Sequence, residues 1–129
     1  MNIQIRDLTT ADEPFVYSTM LRSLYYGNSY YNSILQSKFF QMYPIVIRNL
    51  IAKSAVRIAC LPDEPDVILG YALLEPNIIH FVYVKEAWRK QGVAKALTTD
   101  HTAQFVTHIT KIGNAIRLNK KLELDPFLI

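Results

Sequence analysis

The residues best placed to do chemistry lie in one block, Arg89-Lys90-Gln91-Gly92-Val93-Ala94, with Lys95 directly after it. The apolar run Val82-Tyr83-Val84 precedes it, and Val93, Ala94 and Leu97 follow at helical spacing. A strand that ends in a short loop and reopens as a helix presents main-chain N–H groups without intrahelical acceptors. Together with the positive end of the helix dipole they form an anion site. Gly92 lets the backbone approach a pyrophosphate-like anion with no Cβ in the way, and Ala94 is small for the same reason. Arg89, Lys90 and Lys95 add positive charge. Taken alone, the block also describes a plain strand-to-helix turn with no ligand.

Proton-transfer candidates are few. His80 lies in the apolar run Ile78-Ile79-His80-Phe81-Val82, where strand alternation puts it on the side of Val82 and Val84. An ordinary imidazole titrates near neutral pH. His108 falls on a short strand expected beside it, Glu75 at the end of the preceding strand, and His101 on a helix. A lone His on an apolar strand is more often a satisfied core or surface residue. Four of the eight tyrosines, Tyr25, Tyr26, Tyr30 and Tyr31, surround one turn at Gly27-Asn28-Ser29. They suit a covered sheet edge or a protein contact. Cys60, inside Val56-Arg57-Ile58-Ala59-Cys60-Leu61, reads as a buried strand residue rather than a nucleophile.

The elements that must position these groups follow from periodicity. Asn2-Ile3-Gln4-Ile5-Arg6-Asp7-Leu8 alternates as a half-buried strand. Thr10-Ala11-Asp12-Glu13 has the form of a capping box, opening a helix to about 26 that buries Val16, Met20 and Leu24. A second helix starts after Ser33 and reaches Leu50, with Pro44 kinking or dividing it. Strands over 55–61, 67–74 and 78–84 follow with antiparallel turns, then a helix over 91–104, a short strand over 105–109 and a helix over 111–122. An extended piece at Pro126-Phe127-Leu128-Ile129 closes the order β-α-α-β-β-β-α-β-α with a possible short last strand. The expected fold class is therefore α/β (α+β): one central, mostly antiparallel mixed sheet with helices on both faces.

Bulk properties narrow the function. The 129 residues suit a single domain, 1–129, and half of them are apolar. One cysteine cannot form an internal disulfide, and neither a signal peptide nor a membrane-spanning run is apparent, so a cytoplasmic protein is the expectation. Residues 85–129 carry eight Lys/Arg against four Asp/Glu, whereas residues 1–84 carry six against seven. The positive excess accompanies the anion loop. Nucleic acid is a poor fit, since no basic run is interleaved with aromatics.

Arg89-x-x-Gly92-x-Ala94 resembles the [Gln/Arg]-x-x-Gly-x-[Gly/Ala] motif of the GNAT superfamily of N-acetyltransferases. The strand end Val82-Tyr83-Val84 upstream, Val93-x-x-x-Leu97 in the helix, and the element order across residues 2–122 extend the resemblance. It implies acetyl-CoA as cosubstrate, with no metal. Main-chain groups of Val82 and Val84 would pair with the pantetheine arm. The N–H groups of Gln91, Gly92, Val93, Ala94 and Lys95 would hold the pyrophosphate, and Asn114 near the start of the last helix would contact the pantetheine. Tyr26, Tyr30 and Tyr31 would wall the acceptor, an amine-bearing small molecule or protein.

Acetyl transfer needs a deprotonated amine, a polarised thioester carbonyl and a protonated leaving thiolate. Family members commonly take the base from a Glu or a held water, and the acid from a Tyr of the last helix. Here no Tyr follows Tyr83, so His80, Glu75 and His108 are the base candidates and the usual acid is missing. The chain also ends soon after Asp125-Pro126, so the expected pocket floor is reduced or completed by a second subunit, as in a homodimer. A small, shortened member of this kind resembles GNAT-like proteins of phages and prophages. Two function classes stay open: an acetyl-CoA-dependent N-acetyltransferase working by direct transfer, and a non-catalytic module that binds CoA or a protein partner.

Overall fold

Period-two alternation of large and small apolar residues builds two cores on opposite faces of one sheet. The computed structural model describes residues 2–108 and 110–129. Six strands, β1 (Gln4–Asp7), β2 (Ala55–Leu61), β3 (Glu64–Glu75), β4 (Asn77–Val84), β5 (Ala103–Val106) and β6 (Glu123–Leu124), lie side by side in chain order. Neighbours pair antiparallel from β1 to β4, and parallel for β4 with β5 and β5 with β6. On one face, Ile58, Tyr71, Leu73 and Phe81 pack against α1 (Glu13–Tyr26), the single turn α2 (Ser29–Asn32) and α3 (Gln36–Lys53). On the other, Ala59, Leu69, Ala72 and Val82 meet Val93 and Leu97 of α4 (Val93–Thr98) and Ile116 of α5 (Lys111–Lys120). The mixed sheet with helices on both faces is the expected architecture. No described helix is long and apolar enough to cross a membrane.

Several boundaries move for local reasons. The N-terminal cap forms one residue earlier than the Thr10–Glu13 spacing implies. The Asp12 carboxylate accepts both the N–H and the hydroxyl of Thr9, because the same carboxylate is gripped by Arg6 at 2.7 and 3.0 Å. Pro44 does not divide α3; Phe39, Ile47 and Leu50, buried on both sides of it, carry the helix through the lost hydrogen bond. A separate turn, α2, precedes it, capped by the Asn28 side chain on the Tyr30 N–H.

The largest correction is α4, six residues long where the sequence predicts a helix over 91–104. The Thr98 and Thr99 hydroxyls donate to the carbonyls of Ala94 and Lys95, and Asp100 turns left-handed at φ 64°, which ends the helix. Residues 103–106 are freed to enter the sheet earlier than predicted, and position 109, the expected strand end, lies outside the described residues. The last strand is at Glu123–Leu124, whereas Pro126–Leu128 forms a 3-10 turn rather than an extended piece. Gly70 permits α4 to lie close: a Cβ there would collide with the Tyr83 carbonyl and crowd Val93.

Arg6 and Asp12 tie β1 to the start of α1, and the hydrogen bond from Arg6 holds the Asp12 carboxyl down to about 2. A carboxylate with a depressed folded pKa stabilises the protein fully above the usual carboxylate range and loses that contribution as pH falls towards 2. Asp12→Asn is expected to cost about 2 kcal/mol near neutral pH, from the size of that shift. The difference from wild type should close between about pH 4 and pH 2 in chemical denaturation.

Candidate functional site

The site is built on a place where two neighbouring strands part. β4 pairs with β3 up to Gly70↔Val84, but with β5 only at Asn77↔Ala103, Ile78↔Phe105 and Ile79↔Val106. One further bond, Thr107 N–H to the Ile79 carbonyl at 3.3 Å, closes the contact. Beyond it the β5-side edge of Phe81 to Val84 has no strand partner among the described residues. A bulge precedes the opening: Leu74 faces Ile79 and Leu73 faces Phe81, leaving His80 unmatched. Past the bulge, Lys85 donates to Leu69 of β3, so antiparallel alternation turns the peptide groups of Phe81 and Tyr83 to β3 and those of Val82 and Val84 to the open edge. The Arg89 Nε–H donates to the Val84 carbonyl at 3.0 Å, from that open side.

A groove follows this edge. One cavity of about 210 Å³ is lined by Phe81, Val82, Tyr83 and Arg89 with Ser23 and Gly27 of the α1 end. A second, of about 380 Å³, is lined by Val84, Arg89, Lys90, Gly92, Val93, Ala94 and Lys95 and faced by Ile112, Ala115 and Ile116 of α5. Arg89 and Ile112 border both. Gly92 caps α4 through its carbonyl, which accepts the Ala96 N–H, and it does so at φ 87°. Nothing lies near its missing Cβ, so the glycine is required by backbone conformation. Lys90 also turns left-handed, at φ 62°, and the Gln91 amide folds back onto the Ala87 carbonyl.

Where β4 and β5 part, a chain of polar side chains crosses the core. The Glu75 carboxylate bonds His80 Nε2 and lies 3.5 Å from Lys53 Nζ at the end of α3. His80 Nδ1 meets Thr107 Oγ1 at 2.9 Å, Thr107 Oγ1 meets His108 Nδ1 at 2.8 Å, and His108 Nε2 meets the Tyr43 hydroxyl at 2.8 Å. Tyr31 stacks on the His108 ring and packs on Tyr43. Burial pulls His80 below the ordinary imidazole range against the opposing pull of Glu75, and pulls His108 down to about 4. The hydrogen bond from His80 holds the Glu75 carboxyl below its usual range, while burial pushes Tyr43 up. Near neutral pH the chain is thus an ionised carboxylate followed by two neutral imidazoles and a neutral phenol.

Compared by sequence, the chain matches no family model and no curated protein. Compared by structure, it superposes on YjaB from Escherichia coli with a TM-score of 0.55 and 17% identity, over 76% of this chain and 63% of YjaB. A GCN5-related N-acetyltransferase from Rhodopseudomonas palustris gives 0.54 and 16% over 94% of this chain and 67% of that one. The fold is that of the GNAT acetyltransferases. AAC(6')-Iy, solved with the bisubstrate analogue CoA-S-monomethyl-acetylneamine, gives 0.51 and 12% over 95% of this chain and 92% of that one. The chain thus spans somewhat less than two thirds of YjaB and nearly all of AAC(6')-Iy.

Within this GNAT fold the sequence candidates are distributed unevenly. Val82, Tyr83, Val84 and the block from Arg89 to Lys95 gather along the groove, with Gln91 folded back at its rim. Asn114 does not: its carbonyl oxygen accepts from the Arg117 guanidinium at 2.9 and 3.0 Å, and α5 turns Ile112, Ala115 and Ile116 to the groove instead. His80, Glu75 and His108 join in one hydrogen-bonded chain, but His80 is not on the side expected. The bulge breaks the alternation, so its ring points into the Glu75–Thr107 chain leading to α3, while Val82 and Val84 pack with Val93 and Leu97. Tyr26 and Tyr30 are exposed near α2, whereas Tyr31 is buried against His108. His101 bonds the Glu75 carbonyl. Thr107 and Tyr43 were not among the candidates; their partners are 27 and 65 residues away in sequence, and no local pattern announces them.

A buried imidazole with a lowered folded pKa stabilises the protein fully above the ordinary imidazole range, and that contribution falls away as pH drops towards about 4. The thermal midpoint should therefore decline from about pH 6.5 to about pH 4. His108→Gln, which cannot be charged, should flatten that part of the midpoint–pH curve, read by circular dichroism.

Proposed function

We propose that this chain is a single-domain N-acetyltransferase, using acetyl-CoA to acylate an amine of a small molecule or protein by direct transfer. The observation that carries the reading is the edge of β4 that no strand among the described residues pairs: the peptide groups of Val82 and Val84 face an apolar groove that runs to the left-handed Gly92 turn, with Arg89 on the Val84 carbonyl. A pantetheine arm carries amide groups in series and can bond such an edge as an added strand does. Arg89, Lys90 and Lys95 border the end where the phosphates would lie, with Gly92, Val93 and Ala94 beside them. The bisubstrate analogue bound by AAC(6')-Iy, CoA-S-monomethyl-acetylneamine, contains CoA.

In the reaction the amine nitrogen attacks the thioester carbonyl carbon, the carbon–sulfur bond breaks, and the thiolate takes a proton; one proton is released overall when the amine starts as an ammonium. The Glu75–His80–His108 chain supplies the base. Both His80 nitrogens are engaged and its side chain is fully buried, whereas Glu75 is 24% exposed, so His80 acts through Glu75. Tyr31 packs at the His108 end of the chain, opposite Glu75, and Tyr26 and Tyr30 are exposed. The alternative, a non-catalytic module, draws on the absence of any Tyr from α5 and on the sealed His80 ring.

Thermal unfolding with acetyl-CoA tests the reading. At a hundredfold excess over Kd the midpoint should rise on the order of 5–10 °C. Gly92→Glu should remove the rise while unfolding cooperatively without ligand, because the side chain places a negative charge at the phosphate end. No shift in the wild type would reject acetyl-CoA binding. A shift without thiol release over a panel of amines would favour the binding module.

A further inference from the structure

The hydrogen bonds between β4 and the segment after β5 can be oriented from both ends, because each end contacts a group that only accepts. At one end His108 Nδ1 lies 3.1 Å from the His80 carbonyl oxygen, so Nδ1 carries the proton. The neutral His108 ring then has its lone pair on Nε2, and the Tyr43 hydroxyl donates to it. The His108 Nδ1–H also points at Thr107 Oγ1, which therefore accepts and keeps its own proton free to donate. At the other end the ionised Glu75 carboxylate only accepts, so His80 carries its proton on Nε2 and its lone pair on Nδ1. The Thr107 hydroxyl fills that gap at 2.9 Å; its other acceptor, the His80 carbonyl, is more distant at 3.5 Å. Every donor therefore points from Tyr43 towards Glu75.

We propose that Thr107 is a positioning residue: its hydroxyl, oriented by His108, holds His80 in the Nε2–H tautomer and so makes Glu75 the proton-accepting group of the site. This inference rests on the acetyltransferase reading for its catalytic half, and on the hydrogen-bond geometry alone for its tautomer half. With Nδ1 occupied by Thr107, an incoming proton has no free site on the buried ring and goes to the carboxylate. The charged and titratable groups that face Glu75 and the two rings are Lys53 and Tyr43 from α3, Tyr31 from α2, and His101 before β5.

Nitrogen-15 spectra of the histidine rings, recorded on the whole chain near pH 7.5 without substrate, test the first half. The wild type should show His80 as the Nε2–H tautomer and His108 as the Nδ1–H tautomer. Thr107→Val should shift the His80 pattern away from pure Nε2–H, and Thr107→Ser should return it. A wild-type His80 carrying its proton on Nδ1 would overturn the proposal. For the second half, Thr107→Val should lower kcat by at least about tenfold, with KM for acetyl-CoA and the acetyl-CoA-induced midpoint shift unchanged. Thr107→Ser should recover kcat, which a mere loss of packing would not explain. In the wild type the acidic limb of the kcat–pH profile should belong to a carboxylate below the usual range; a limb at the imidazole range, or an undiminished kcat in Thr107→Val, rejects the role. Absence of any acetyl-CoA shift in the wild type would instead reject the acetyltransferase reading, and the ring spectra would still decide the tautomers.

Discussion

The candidate site depends on β4 having, beyond Ile79, a strand partner on one side only among the described residues. A strand interior to a sheet normally satisfies its peptide groups twice over, and exposing a row of them unpaired is unfavourable unless something else occupies the edge. Here β4 holds β3 along its length and releases β5 after Ile79↔Val106. Part of the open edge is served internally, by Arg89 on the Val84 carbonyl. The groove beside it is apolar on the α5 side, through Ile112 and Ile116, and ends at a left-handed turn. A ligand that is extended, amide-bearing and anionic at one end satisfies all three conditions.

The parting must be held at its apex, and polar groups hold it. Thr107 and His108 bond the His80 backbone and ring, so the two strands are joined by side chains where the ladder stops. Buried polar groups are costly unless each has a partner, and here the partners run in series from α3 back to the end of β3. The same requirement that stabilises the apex also sets its protonation state. A sealed, neutral pair of imidazoles beside a part-exposed carboxylate follows from packing.

The positive charge of the loop rests on its side chains rather than on a helix end. With α4 reduced to one and a half turns, a long helix dipole is not available, and the cluster of Arg89, Lys90 and Lys95 with left-handed Lys90 and Gly92 carries the loop's character. The threonines that end α4 also release the segment that becomes β5, so the short helix and the open strand edge arise together.

What the sequence by itself determined was the local periodicity. The limits of β2 at 55–61, the course of β3 and β4, the Val82–Val84 strand end and the Gly92 turn were all legible, because alternation and a glycine act within a few residues. The members of the polar chain were legible as residue types but not as a unit. His80 appeared to share a face with Val82, since alternation assumes an unbroken strand, and only pairing with β3 reveals the bulge that turns it. Thr107 and Tyr43 carry no local mark; they matter because β5 and α3 bring them to His80 and His108. Short-range forces write the elements into the sequence. The protonation chain and the open edge belong to contacts between residues far apart, which only the packed tertiary structure creates.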